Sequence, residues 1–236
     1  MRPYDAAPRI GFRSAVADQA NAFLSAVYGW MCAGLTITAA TAWFVATSPT
    51  IIRAIVANRG LFWGLMIAQL GIVFVLSARV QQLAPATASL LFVIYSALTG
   101  ATLSFVLLAY TGESVATTFL VTAGMFGGLA IYGTITKRSL GGFGRFLFVG
   151  LLGVVLASIV GLFWHNDAFQ FVLSLAGVIV FSGLVAYDAQ RLRLMALQTP
   201  EGQSSYAIVG ALALYLDFTN LFLFLLRFTG NRRDWE

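Results

Sequence analysis

Seven long runs of apolar residues constrain this chain more than any other feature of its sequence. Each run is long enough to cross about 30 Å of hydrocarbon as a helix, since a helix rises about 1.5 Å per residue. In lipid, the backbone N–H and C=O groups can form their hydrogen bonds only within a helix or a closed β-barrel. The strands of a barrel would show alternating hydropathy over segments of about ten residues, which this sequence does not. The sequence therefore predicts an all-α integral membrane protein, a bundle of seven transmembrane helices. The runs occupy 22–47, 61–78, 86–110, 115–136, 143–164, 168–189 and 206–229.

The composition supports a membrane protein and argues against other classes. Only 10% of the residues are charged, whereas a soluble domain carries about 25%. The net charge of +5 does not indicate a nucleic-acid partner, because the basic residues lie at helix ends, where they anchor a membrane protein. Cys32 and His165 are the only cysteine and the only histidine, so we expect no zinc site of the usual kind.

The placement of lysine and arginine predicts the orientation in the membrane. If every run crosses, nine basic residues lie on the side of the N-terminus and five on the other side. The positive-inside rule then puts the N-terminus in the cytoplasm and the C-terminus outside. A last segment that enters and returns, leaving both termini inside, is the alternative topology. We expect a cytoplasmic N-terminal tail (1–20), one transmembrane domain (21–230) and a short C-terminal tail (231–236), in a bacterial inner membrane because no organelle signal is present.

Asp217 is the ionisable residue that lies deepest within an apolar run. It is near the middle of 211–226, and the next charge is Arg227. A carboxylate at that depth costs several kcal/mol unless it is neutral, paired or hydrated. Gly210 and Asn220 lie seven residues before and three residues after it, so small and polar side chains share one stripe of the helix. We expect this stripe to face the interior of the bundle, with Asn220 contacting an ion or a neighbouring helix.

Asp188 ends the sixth run and is the second candidate. Its position near a helix end permits partial solvation, and Arg191 three residues later is placed to pair with it. The short connection makes the last two helices antiparallel neighbours, so Asp188 and Asp217 are candidates for a pair. Their depths do not match, because Asp217 lies about eleven residues into its run (at about 1.5 Å per residue). We expect that a tilt or a broken helix is needed to bring the two carboxyl groups together.

Two segments carry a resemblance to a known family. YDAQRL at 187–192 and ALALYLDFTNLFLFLLRF at 211–228 resemble the sixth- and seventh-helix motifs of the Bax inhibitor family, the transmembrane Bax inhibitor motif proteins. The stretch TKRSLGGFGRFLFVGLLG at 136–153 is similar to the lysine-containing loop of that family, and VYGWMCAGLTITAATAWF in the first run also resembles it. The resemblance covers nearly the whole chain after residue 20. Ala189 and Thr219 depart from the threonine and isoleucine common in the family, but neither departure removes an ionisable group.

The resemblance implies a fold in which a central last helix is surrounded by the other six. It also implies a pH-sensitive calcium leak whose sensor is a pair of aspartates, here Asp188 and Asp217, with Arg79 as their counter-ion. Two carboxylates in a poorly solvated site cannot both ionise cheaply, so we expect the pair to share one proton and latch the last two helices together. Loss of the proton, or approach of Arg79, would change the pairing and open a path.

Calcium is expected as a transported ion and not as a tightly bound cofactor. The two carboxylates, together with Asn220, backbone carbonyls and water, can supply the several oxygen ligands that calcium prefers. A weak, transient site suits conduction, because tight binding would block it. Calcium, protons and the lipid bilayer are therefore the expected partners.

Two other functions remain open at this point. The first is a non-conducting modulator that binds a membrane quality-control protease, for which the N-terminal tail would suit capture of the partner. The second is an intramembrane aspartyl protease, because a carboxylate pair also serves general acid–base hydrolysis. The sequence has Tyr215-Leu216-Asp217 where presenilin-type enzymes carry Gly-x-Gly-Asp, and it has no HExxH, GxSxG or P-loop signature. We therefore expect a protein that is not an enzyme.

Overall fold

The structure is a computed structural model that describes residues 7–80, 82–164, 166–197 and 204–233. Within these ranges the chain forms eight α-helices and no strand of a sheet. Seven of the helices are long and apolar enough to cross a membrane, which confirms the predicted bundle. The helices are α1 (Ala7–Ala46), α2 (Pro49–Ala57), α3 (Arg59–Ala78), α4 (Pro85–Ala109), α5 (Gly112–Ile135), α6 (Gly141–Gly161), α7 (Asp167–Ala196) and α8 (Ser204–Thr229).

Local sequence signals explain where these helices begin. Pro49 and Pro85 occupy the first turns of α2 and α4, where the missing N–H of proline costs no hydrogen bond. Asn58, Thr111 and Asn166 are the N-caps of α3, α5 and α7, and each side chain accepts a hydrogen bond from the backbone N–H three residues later, at 3.2, 3.3 and 3.1 Å. These caps satisfy backbone donors that the first turn of a helix leaves unpaired.

The last helix occupies the centre of the bundle. In its most apolar stretch 72% of the residues of α8 are buried, compared with 39% in α7 and 6% in α3. It packs against α1, α3, α4, α5 and α7, whereas α6 packs on the outer side of α7. The central position of the last helix agrees with the expectation, although α6 belongs to an outer layer and not to the ring around α8.

Three features at the chain ends and connections differ from the sequence predictions. Helix α1 begins at Ala7 and continues without a break into the first span, so the described part of the expected tail (7–20) is helical; residues 1–6 lie outside the described ranges. The short helix α2 lies where only a loop was expected. Helix α7 extends to Ala196, two turns beyond the predicted end at 189.

The contacts of the C-terminal segment show on which face of the bundle the last helix ends. Helix α8 crosses the bundle without a break and ends beside the connection between α4 and α5. There Thr111 N donates to Asn231 O at 3.1 Å, and Arg233 N donates to Ala109 O at 3.0 Å. Seven crossings place this connection on the face opposite the start of the first span. The alternative topology, with a last segment that enters and returns, is therefore wrong, and residues 234–236 lie outside the described ranges.

Candidate functional site

Asp217 lies in the middle of α8 and is enclosed by protein. Only 5% of its surface is exposed, and the neighbouring positions Tyr215 and Leu221 are fully buried. Its Oδ2 atom is buried, and no N–H or O–H group of the described residues donates to it. A buried carboxyl oxygen without a donor is costly in a medium that contains no water. The prediction that this side chain faces the bundle interior is confirmed.

Asp188 lies on α7, eight residues before the helix ends at Ala196. It is half-buried and is therefore the more accessible of the two aspartates. The sequence analysis expected this residue at a helix end. The additional two turns of α7 move it into the helix interior, so the proposed mismatch in depth between Asp188 and Asp217 is smaller than expected.

The structure brings the two carboxyl groups together. The side chains of Asp188 and Asp217 lie within hydrogen-bonding reach of each other. A carboxylate only accepts hydrogen bonds, so a bond between two carboxyl groups requires that one of them carries a proton. Helices α7 and α8 are both continuous through these positions. The expected break is therefore absent from both helices, and the expectation of a tilt stays a prediction.

Close packing of α7 against α8 holds the pair in register. A Cβ atom added at Gly210 would lie 2.6 Å from Leu192 Cδ2, and one added at Gly177 would lie 2.5 Å from the ring of Phe224. Real Cβ atoms essentially never come this close, so a side chain at Gly177 would displace the Phe224 ring, and one at Gly210 would displace the end of the Leu192 side chain. Small residues at such interfaces are the usual means by which helices approach closely in lipid.

Arg191 is the basic residue whose charge acts on Asp188. It lies one helical turn after Asp188 on the same helix and is exposed. Arg79, the expected counter-ion, is the exposed C-cap residue of α3. Among the described residues no ion pair joins Arg79 to either aspartate, so its role as counter-ion stays a prediction.

Asn220 makes its hydrogen bond within its own helix. Its Nδ2 group donates to Leu216 O at 2.8 Å, and the side chain is half-buried. In this conformation Asn220 does not join α8 to another described helix, and its expected contact with an ion also stays a prediction. Among the described residues no three acidic, histidine or cysteine side chains cluster as metal ligands. The two aspartates therefore offer a site with few protein ligands.

Apolar side chains fill the interface between α7 and α8 on one side of the aspartate pair, between the pair and the C-terminal end of α8. Phe181 and Leu184 lie two turns and one turn before Asp188, and both are buried. Leu221, one turn after Asp217, has no exposed surface, and Phe224 stacks on Phe181 with ring centroids 5.7 Å apart. This apolar layer borders the carboxyl pair on that side.

A second polar cluster surrounds Tyr215 on the opposite face of α8. The hydroxyl of Tyr215 lies 2.5 Å from Thr38 Oγ1 on α1, and Thr38 Oγ1 donates to Ser96 O on α4 at 2.9 Å. Thr99 on α4 interacts with the Tyr215 hydroxyl and donates to Gln69 Oε1 on α3 at 3.3 Å. The cluster therefore joins four helices. The sequence analysis missed it, because threonine and tyrosine in an apolar run give no sign of which helix they face.

The fold and the site define a multi-pass α-helical membrane protein with a buried carboxyl pair between its last two helices. Residues 20–234 match the family model described as "Inhibitor of apoptosis-promoting Bax1". The chain is 50% identical over 215 residues to "Inner membrane protein YbhL" of Escherichia coli K12, which covers 89% of this chain and 92% of that one. It is 45% identical to an uncharacterised protein of Deinococcus radiodurans, covering 92% and 93% of the two chains. The chain therefore belongs to the Bax inhibitor family.

Proposed function

We propose that this protein is a calcium leak channel of the inner membrane that opens when the Asp188–Asp217 pair loses its shared proton. The single observation that carries the proposal is the close approach of the two carboxyl groups; Asp217 Oδ2 is moreover buried and accepts no hydrogen bond from the described residues. Such a contact needs a proton, so its strength depends on pH. The Escherichia coli relative is named an inner membrane protein, which supports the choice of membrane.

The sign of the pH dependence follows from the charge on the pair. With one proton, the two carboxyl groups share a charge-assisted hydrogen bond that holds α7 against α8. Without the proton, two negative charges lie close together in a poorly solvated site and repel each other. Rising pH therefore releases α7 from α8, and calcium flux should increase as the pair deprotonates.

The half-buried position of Asp188 supports proton exchange from the side on which α7 ends. Asp217 lies behind it and is nearly inaccessible, so Asp188 is the group that meets water first. If the N-terminus is cytoplasmic, as we propose from the basic residues, this side is the cytoplasm. The channel would then respond to cytoplasmic pH.

Calcium would occupy the pair only in its deprotonated form. Two carboxylates attract a divalent cation, and backbone carbonyls and water would complete its coordination. The apolar layer formed by Phe181, Leu184, Leu221 and Phe224 closes the interface beyond the pair. It must separate for an ion to pass, and such apolar constrictions gate other channels by excluding water. Arg79 would approach the carboxylates only after this rearrangement.

The test is calcium flux into liposomes that contain the purified protein, measured over a range of pH. The wild type should show flux that rises with pH. Asp217→Asn and Asp188→Asn each keep a hydrogen-bond donor for the remaining carboxylate but lose the titrating proton. A charge-assisted hydrogen bond is worth about 1.5–3 kcal/mol, so flux at alkaline pH should fall about tenfold or more, and its pH dependence should disappear.

Asp167→Asn is the matched control, because Asp167 is an exposed aspartate in the first turn of the same helix. It should leave the flux profile unchanged. Flux that is the same for Asp217→Asn and wild type at every pH would contradict the proposal. Wild-type protein that conducts no calcium at any pH would instead favour a modulator that acts through a membrane protease.

A further inference from the structure

A lateral groove opens between α5 and α6 on the side of the bundle where α7 ends. Helix α6 packs on α7 and not extensively on α5, which leaves a cavity of about 460 Å³ whose floor is α7. Its walls include Leu129, Tyr132 and Phe143, and its mouth is formed by Arg138 and Ser139. Phe143 is 62% exposed, so the groove faces the hydrocarbon of the membrane.

A positive charge stands at the mouth of this groove without an acidic partner. Arg138 lines the cavity and is exposed, and no ion pair joins it to any acidic residue in the described ranges. Gln190 on α7 forms hydrogen bonds to the connection between α5 and α6, which contains Arg138. The Gln190 side chain accepts from Leu140 N at 2.8 Å and donates to Arg138 O at 2.8 Å. The backbone of Arg138 is thus fixed where the apolar groove reaches the membrane surface.

A polar group without a partner lies deeper in the same groove. Ser182 lines it, and its Oγ atom is buried and has no hydrogen-bond partner among the described residues. A helical serine usually donates to the carbonyl four residues earlier, so the missing bond requires an explanation. The Oγ atom has no surface open to the groove, so an acceptor held there would supply the bond only after the serine side chain rotates about its Cα–Cβ bond.

We propose that this groove binds one phospholipid with an anionic headgroup. Apolar walls that face hydrocarbon are filled by an acyl chain, because an empty space would lose dispersion contacts and an apolar cavity does not hold water. The Arg138 guanidinium then pairs with the phosphate, a geometry that suits its planar fork of donors. Once its side chain rotates about the Cα–Cβ bond toward the groove, Ser182 Oγ can donate to an ester carbonyl between headgroup and chain.

A second groove on the other side of α5 provides a contrast within the same molecule. It lies between α1 and α5, has a volume of about 570 Å³, and is lined by residues such as Tyr28, Cys32 and Gly127. No basic residue lines it. Any lipid chain can fill this space, so a preference for an anionic headgroup belongs to the groove that contains Arg138.

Residues of α7 that form the lipid site flank Asp188 in the sequence. Tyr187 lines the groove, and Gln190 fixes its mouth, while Asp188 lies between them. A lipid bound here therefore contacts the same turn of α7 that carries Asp188. The binding site does not depend on whether the protein conducts calcium.

The experiment measures lipid retained by the full chain in native mass spectrometry. Protein is equilibrated with phosphatidylglycerol or phosphatidylcholine of identical acyl chains, and the adducts are compared. The wild type should retain one phosphatidylglycerol in preference to phosphatidylcholine. Arg138→Gln should lower phosphatidylglycerol retention about fivefold, the usual effect of one basic residue on an anionic lipid. Excess inorganic phosphate should not displace the lipid, because it lacks the acyl chain.

Arg145→Gln is the matched control for charge. Arg145 is an exposed arginine on α6 that does not line the groove, so the variant has the same net charge as Arg138→Gln. It should retain phosphatidylglycerol as the wild type does. Equal losses in both variants would mean that only overall charge attracts the lipid, and equal retention of the two lipids by wild type would also overturn the proposal.

Leu129→Trp tests the apolar part of the site. The larger side chain occupies the groove and should reduce retention of both lipids. Leu120→Trp makes the same change on the same helix, at a position that is 71% exposed and does not line the groove. It should have no effect. Retention that is unchanged by Leu129→Trp would place the bound lipid elsewhere on the protein.

Discussion

Gly133 of α5 lies against the main chain of Ala186 of α7, so closely that an added Cβ atom would overlap the Ala186 carbonyl oxygen. The atom it would meet is backbone, which cannot move without displacing α7. Ala186 lies two residues before Asp188. Helix α7 is therefore held between α5 on one side and α8 on the other, and the register of Asp188 depends on the absence of a side chain at position 133.

Gly133→Val should destabilise the bundle by about 2 kcal/mol, since overpacking of a tight contact typically costs 1–3 kcal/mol. Unfolding of the purified protein in detergent measures the change. Gly128→Val on the same helix is the control, because a Cβ atom at Gly128 meets nothing within 4 Å. Equal stability of the two variants would show that α5 and α7 separate easily at this point.

Arg191→Gln should move the pH profile of calcium flux toward higher pH. A nearby positive charge favours the ionised form of Asp188, so removing it makes the shared proton harder to lose. Arg191 is exposed, and solvent screens its charge, so we expect a shift of roughly half a pH unit. Arg193→Gln, two residues further on the same helix, should leave the midpoint of the pH profile of calcium flux unchanged. A shift in the opposite direction for Arg191→Gln would contradict the proposed gating.

Thr38→Val and Tyr215→Phe should each lower the stability of the bundle, because both remove the hydroxyl contact between α1 and α8. Hydrogen bonds between membrane helices contribute about 0.6 kcal/mol on average, with a maximum of about 1.7. The double variant should cost less than the two single changes combined, since both remove one bond. Thr36→Val is the control, because Thr36 bonds only to Cys32 O of its own helix. Additive losses would show that the bond contributes nothing.

Asn231→Cys should react with a membrane-impermeant thiol reagent added to intact cells, and Ser139→Cys should not. The two positions lie at opposite faces of the bundle, and the proposed orientation puts residue 231 outside. Cys32→Ser provides the background for both variants, since Cys32 is the only natural cysteine. The reverse labelling pattern would mean that the N-terminus lies outside.

The seven spans and several of their starts could be predicted because each depends on a local signal. Long apolar runs define the helices, and Pro85, Asn166 and Gly112 mark their starts. The short helix α2 was missed because Pro49–Ala57 is too short to span the membrane and was assigned to a connection. The end of α7 was misplaced because Arg191 and Arg193 interrupt the apolar pattern, although arginine is a good helix former.

The carboxyl pair could be predicted only in part. The depth of Asp217 within its run required that it be neutral, paired or hydrated, and both the antiparallel neighbour and the family resemblance pointed to Asp188 as the partner. The contacts of Thr38, Tyr215 and Gly133 could not be predicted, because they depend on how helices distant in the sequence are rotated against one another. The sequence of a single apolar run does not indicate which face of its helix contacts which neighbouring helix.

The backbone bonds between Asn231 and the connection before α5 have a mechanical consequence for the central helix. They hold the C-terminal end of α8, so a tilt of α8 that preserves them pivots about that end. Asp217 lies about halfway along α8, so in such a tilt it would travel about half as far as the N-terminal end of the helix. A tilt of this kind would therefore displace the start of α8 about twice as far as Asp217.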